Sequence, residues 1–277
     1  MHQIVPIFSG GGTRLPAYIG VLQGLHKLDI EFNQMVGVSG GSIVAALYCC
    51  GRSLEDIFEL ALTTNFKQFK EFSLFRLFRD GGLSSGDKFE KWMDKQLGGK
   101  KFSDLEMELD ILATDVNGGG PVVFNKKLSP DLKVSTAVRF SMSIPLIFSF
   151  KQYNEHLLVD GAILSEDALF HDWSGKGVPI VCFRLKSVAK KQTIEKTFFP
   201  LTQYIILLIR TFMTSLSREY VAEGYWHNTI VINTGDTSAV DFDMSDRDKR
   251  DLFEKGYNTV VDFLPVKMQL FKKMNSV

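Results

Sequence analysis

Apolar positions along this chain gather in short β-rich runs that end on glycine and alternate with stretches of helical period. Gln3 to Phe8 stops at Ser9-Gly10-Gly11-Gly12, which predicts a strand feeding a glycine loop. Beyond it Tyr18, Val21, Leu22, Leu25 and Leu28 recur at helical spacing, and Pro16 suits a first helical turn, where its missing N–H costs nothing. Met35 to Val38 predicts a second strand, ended by Ser39-Gly40-Gly41, and Ser42 to Leu47 reads as a second helix. Two strand–turn–helix units in succession predict parallel strands with crossover helices.

Between Ser53 and Leu97 the pattern is mostly helical, with a break at Gly81-Gly82. Leu109 to Thr114 and Val122 to Phe124 flank Asn117-Gly118-Gly119-Gly120, a turn-forming cluster that predicts a hairpin. His156 to Val159, Ile180 to Leu185 and Thr229 to Asn233 are further strands, with helices near Phe198 to Leu216 and from about Asp246 to Leu264. The fold class is therefore α/β. No repeat or low-complexity linker divides the 277 residues, so one domain over 1–277 is expected, although length alone would allow two.

Composition narrows the function. Lys and Arg number 32 against 32 Asp and Glu, and this zero net charge removes the bulk electrostatic argument for a nucleic-acid partner. Cys49, Cys50 and Cys182 form neither an even disulfide set nor a CxxC pair, and their apolar neighbours suggest buried thiols in a reducing, cytoplasmic setting. The first residues show no basic run followed by an apolar core and cleavage site, so no signal peptide is expected. The most apolar stretch, Phe198 to Leu216, is interrupted by Thr202, Gln203, Arg210 and Thr211, and no spanning helix is expected.

Gly37-Val38-Ser39-Gly40-Gly41 matches G-x-S-x-G in the context that motif requires, a strand before and a helix after. Gly37 and Gly41 relieve the crowding of such an elbow, which exposes a serine hydroxyl at a tight turn. Gly10-Gly11-Gly12 supplies successive unblocked N–H groups beside it, as needed to hold a developing oxyanion. A dinucleotide loop fits less well: the third glycine of G-x-G-x-x-G is Leu15, and Asp29 and Glu31 precede the second strand instead of ending it. No Gly-Lys-Ser/Thr follows, which excludes a Walker loop. A histidine triad is formally available from Ser39, Asp115 or Asp160, and His171 or His227. Neither histidine lies in recognisable loop chemistry, whereas Asp160-Gly161-Ala162 ends the strand Leu157-Leu158-Val159, where loops of a parallel sheet face the cleft.

These blocks together resemble those of the patatin-like phospholipases: Gly10-Gly11-Gly12-Thr13-Arg14, Gly37-Val38-Ser39-Gly40-Gly41 and Asp160-Gly161-Ala162, in that order. Gly81-Gly82-Leu83, Ala113-Thr114-Asp115, Ala137-Val138-Arg139, Ser143-Ile144-Pro145 and Asp241-Phe242 add similar stretches over nearly the whole chain. The resemblance implies a three-layer sandwich, with helices on both faces of a mainly parallel sheet. It implies a Ser–Asp dyad without histidine, hydrolysing acyl esters of glycerolipids through an acyl-enzyme and needing no metal or other cofactor. Ser39 would be the nucleophile, Asp160 the general base, and the amides of Gly10, Gly11, Gly12 and Gly40 the oxyanion hole. Arg14 fills the family's basic position, where it could steer a lipid phosphate or make a surface or structural ion pair. Two departures stand out: Leu15 replaces the usual glycine, and Leu164-Ser165-Glu166-Asp167 replaces the asparagine and proline common in relatives.

The partner implied is a phospholipid or other acyl-ester lipid at a membrane surface, reached by peripheral association, with the need for a protein activator left open. A non-catalytic lipid-binding module on the same scaffold and a histidine-assisted esterase are the alternatives. Phe66, Phe69, Phe72, Phe75 and Phe78 recur every three residues among Lys67, Lys70, Arg76 and Arg79. Each three-residue step falls about 60° short of a full turn, so these rings spiral around a helix and make no single stripe. The segment reads as a broken lid or a helix buried on one flank, with the basic residues available for anionic headgroups, or simply as core phenylalanines. Tyr204 to Ile209 is a second apolar candidate for docking if exposed.

Overall fold

The computed structural model describes residues 2–69, 71, 73–164, 169–187 and 223–274, together with positions 204, 207, 208 and 211. The run expected from Gln3 to Phe8 divides at Ile4. Strand β1 (His2–Gln3) pairs in parallel with β3 (Ile30–Glu31), and β2 (Val5–Ser9) enters an eight-stranded sheet. Five of its strands are parallel, in the order β12 (Thr229–Asn233), β11 (Ile180–Lys186), β2, β4 (Gln34–Val38) and β6 (Glu108–Asp115). The expected hairpin is present, with β7 (Gly120–Phe124) antiparallel to β6. Strand β10 (His156–Val159) is antiparallel to β6 and to β9 (Lys151–Tyr153), and β5 (Gly82–Ser84) pairs with β8 (Leu146–Phe148) as a separate ribbon.

Side chains alternate across the strands and build a core on each face. On one face Phe8, Met35, Ile111, Ala113, Val181 and Phe183 join the larger cluster, together with buried residues of α1 (Leu15–Lys27), α2 (Gly40–Cys49) and α6 (Val134–Ser141). On the other face Val5, Ile7, Val36, Val38, Leu112 and Cys182 pack with Leu169, against which Phe170, Trp173 and Val178 lie. The helix expected near Phe198 to Leu216 lies outside the described residues, apart from single positions of which Tyr204 and Leu208 are exposed. All three cysteines are buried and outside any disulfide, and burial pushes the pKa of the Cys49 and Cys50 thiols upward.

The last described helix, α7 (Asp246–Met274), runs past the expected end at Leu264 and carries Pro265 inside it. It lies directly on α1. A Cβ at Gly20 would run into Phe253 O, and one at Gly256 into Ala17 O, so the two helices meet backbone to backbone. Among the described residues no helix is long and apolar enough to cross a membrane.

Candidate active site

The site follows from which edge of β6 each neighbour occupies. Strand β7 pairs with Ile111 to Asp115, so β4, paired with Glu108 to Leu112, and β10, paired with Thr114 and Asp115, must share the opposite edge. They approach from opposite directions. Val38 faces Leu112 and Val159 faces Thr114, so the next residue of each, Ser39 and Asp160, arrives at the gap beside Ala113. Gly161 allows this close approach, since a Cβ there would run into Leu112 O. Two side chains 121 positions apart are thereby brought together: Ser39 Oγ donates to Asp160 Oδ2 at 2.7 Å, and both residues are wholly buried.

Ser39 sits at φ 52° and ψ −131°, a backbone conformation that costs a non-glycine residue about 1–3 kcal/mol and persists only where its surroundings enforce it. They do so here at both ends. Its N–H donates to Ser141 Oγ at 2.8 Å, and its carbonyl accepts from Ser42 N at 2.9 Å and from Ser42 Oγ at 2.6 Å. Met142 Sδ lies 3.8 Å from Ser39 Oγ. Asp160 is fixed likewise: its N–H donates to Ser143 O at 3.0 Å, and its Oδ1 accepts from Ala162 N at 2.9 Å. Burial raises the Asp160 carboxyl from 3.8 to about 6, against the lowering effect of these hydrogen bonds.

Strand β2 delivers the glycine loop alongside, because Ser9 is in register with Val38. Gly10, Gly11 and Gly12 all have positive φ, at 77°, 106° and 56°. Gly10 staples the two turns together: its N–H donates to Val38 O at 3.1 Å, and its carbonyl accepts from Gly41 N at 2.9 Å. Its amide is therefore spent, which corrects its expected place among the oxyanion donors. The N–H groups of Gly11, Gly12 and Gly40 have no acceptor among the described residues. Gly12 and Gly40 are in direct backbone contact, a Cβ at Gly40 falling 2.7 Å from Gly12 N, while Gly37 and Gly41 admit the crowding between β4, α2 and β2.

The chain belongs to the patatin-like phospholipase family. That family's model matches residues 7–169, which span the glycine loop, the elbow and Asp160. YqhO, an uncharacterized protein of Bacillus subtilis, is 26% identical over 282 residues, covering 93% of this chain and 97% of its own. VipD from Legionella pneumophila superposes with a TM-score of 0.64 at 14% identity, over 95% of this chain and 67% of that one. Human GIVD cytosolic phospholipase A2, solved in complex with methyl gamma-linolenyl fluorophosphonate, superposes with a TM-score of 0.54 at 14% identity, over 98% of this chain and 58% of that one. The fold is thus that of patatin-like phospholipases.

In this patatin-like chain Arg14 does not face solvent, which corrects the expectation that it steers a lipid phosphate. It is wholly buried behind the loop, where Nε donates to Gly11 O and Nη1 to Thr234 Oγ1, each at 3.0 Å. Burial lowers its pKa to about 10, so it stays cationic at neutral pH while anchoring the loop to the end of β12. Neither candidate histidine approaches Ser39: His171 and His227 are exposed, and His171 stacks on Trp173. Asp115 pairs instead with His156 Nδ1 at 2.8 Å and accepts from Leu157, Asn117 and Gly118 N–H groups. The His156 bond is the main reason its pKa falls to about 2, and the arrangement ties the β6–β7 turn to β10.

Beside the elbow lies a narrow apolar cavity. Gly12, Leu15, Ile43 and Met142 line it, Met142 being the residue in contact with Ser39, and Phe66, Phe69, Phe89, Phe148 and Phe242 add aromatic wall. Leu15 contributes directly to this lining. The phenylalanine repeat is split. Phe66 and Phe69 lie on a 3₁₀ turn (Phe66–Phe69) and are buried, whereas Phe75 and Phe78 lie on α4 (Leu74–Asp80) and are exposed. Lys70 and Phe72 fall outside the described residues.

Three supporting residues carried no sequence signal of their role. Ser141 holds the Ser39 amide, and Ser143 holds the Asp160 amide. Arg139, wholly buried, donates from Nη1 to Ser143 Oγ at 2.6 Å and from Nη2 to Ser85 O at 2.7 Å and Ser149 O at 2.8 Å. The stretches Ala137 to Arg139 and Ser143 to Pro145 mark the region, but the partners they meet are distant in sequence.

Proposed function

We propose that this patatin-like lipid hydrolase is of phospholipase A type, cleaving fatty acyl esters of glycerophospholipids at a membrane surface through an acyl-enzyme on Ser39. One observation carries the reading: the 2.7 Å hydrogen bond from Ser39 Oγ to Asp160 Oδ2 in a buried site beside an apolar cavity. Asp160 takes the Ser39 proton as Oγ bonds to the ester carbonyl carbon, and the carbonyl electron pair moves onto oxygen. The amides of Gly11, Gly12 and Gly40 receive that oxyanion, and the positive end of α2 adds to the local potential. Collapse breaks the ester C–O bond, and the departing lysophospholipid oxygen takes the proton from Asp160. Water then attacks the acyl-enzyme with Asp160 again accepting the proton, the fatty acid leaves, and Ser39 recovers its hydrogen.

A carboxylate near its ordinary value of about 4 is a weak base for a hydroxyl. Burial moves Asp160 toward the working pH, and the short contact and the oxyanion donors supply the rest. We read residues 1–277 as one domain, because both cores are built on the two faces of a single sheet. The test is fatty-acid release from phosphatidylcholine dispersed in detergent micelles. Ser39→Ala and Asp160→Asn should each lower it by at least about 10³-fold while far-ultraviolet circular dichroism stays native. Full turnover by folded Ser39→Ala would overturn the reading.

A further inference from the structure

The apolar cavity is joined to the surface by a short piece of chain that carries the most exposed phenylalanines of this region. Phe148 on β8 lines the cavity and stands opposite Ser84 on β5, which follows α4 after Gly81 alone. Two residues beyond Phe148, Phe150 is 44% exposed and lies against Gly81, where a Cβ would come 2.9 Å from its ring. Phe75 and Phe78, three residues apart and so on one side of α4, are 73% and 80% exposed. The Arg79 guanidinium lies 5.6 Å from the centre of the Phe75 ring and is paired with Asp80. Among the described residues Arg76 has no carboxylate within ion-pair distance.

We propose that Phe75, Phe78 and Phe150 form the face by which this protein docks on a phospholipid bilayer, with Arg76 at the level of the lipid phosphates. The inference rests on the acyl-hydrolase reading above, because the docked face adjoins the cavity that would take the acyl chain. A bilayer is the occupant for two reasons. Through the pairing of β5 with β8 the patch adjoins the wall of the apolar cavity beside the elbow, and α4 sets the Arg79 guanidinium over the Phe75 ring with Arg76 on the same helix, a combination suited to the boundary between phosphate and hydrocarbon. A second exposed stripe, Phe263, Val266 and Leu270 on α7, contributes no residue to the cavity.

The test is sedimentation of the full chain carrying Ser39→Ala with phosphatidylcholine vesicles, with and without phosphatidylglycerol, so that binding is measured apart from turnover. Phe75→Ser with Phe78→Ser should weaken vesicle binding at least about tenfold. Phe263→Ser with Val266→Ser should leave it intact. Phosphatidylglycerol should tighten binding about fivefold, and Arg76→Gln should remove that gain. Vesicle binding lost on the α7 substitutions but kept on the α4 substitutions would overturn the inference. So would a native dimer that the α4 substitutions split, since a second copy would then own the face. Micelle hydrolysis without vesicle binding would sink the docking face and spare the dyad, and vesicle binding by a protein inert toward micelles would do the reverse.

Discussion

At Asp160 burial of a carboxyl group costs stability at neutral pH. The folded protein holds this proton more tightly than an exposed carboxyl does, with a pKa of about 6 against 3.8. Its contribution to stability is therefore complete below about pH 3.8 and is lost as pH rises through about 6. At neutral pH the ionised, desolvated carboxylate is a net cost. Asp160→Asn should accordingly stabilise the fold by about 1–3 kcal/mol at pH 8, with the advantage shrinking as the pH approaches 4. Urea unfolding of both proteins at the two pH values checks this, and a less stable variant at pH 8 would refute it. Ser39 and Asp160 were legible because each ends an apolar strand beside glycine. Ser141 was not, because its partner, the Ser39 amide, is 102 positions away. Arg14 was misread because a basic residue after a glycine loop gives no sign of the side on which it is buried.

Among the elements, the parallel strands were readable as apolar runs stopped by glycine, and α1 and α2 as the periodic stretches between them. Strands β8 and β9 were not: Leu146-Ile147-Phe148 is too short for a pattern, and Lys151-Gln152-Tyr153 is mostly polar, so both exist through their partners β5 and β10. The three-residue phenylalanine spacing misled for a related reason. Its described members lie on two separate elements, the 3₁₀ turn Phe66–Phe69 and α4, the first two rings in the cavity wall and the last two exposed to water. The contact between α1 and α7 offers a test at this scale. Gly256→Ala gains about 1 kcal/mol of helix propensity, but its methyl has no room against Ala17 O. The net effect should be a loss of at least about 2 kcal/mol in denaturant unfolding. Unchanged stability would mean that the two helices are not in backbone contact.

For the molecule as a whole, the strand order assembles the site. Seating β10 beyond β4 on one edge of β6 makes an alcohol and a carboxylate meet at Ala113, and seating β2 beside β4 brings the glycine amides to the same place. Motif order along the chain announced these parts, but only the pairing shows how they meet. The central claim is that Ser39 is a nucleophile activated by Asp160, and its most direct measure is the rate of covalent labelling by a fluorophosphonate, followed by intact-protein and peptide mass spectrometry across pH. One adduct should form, at Ser39, at a rate that rises as pH passes through about 6 and falls at least about 100-fold in Asp160→Asn. An adduct at another residue, or a Ser39 adduct forming equally fast in Asp160→Asn, would contradict it.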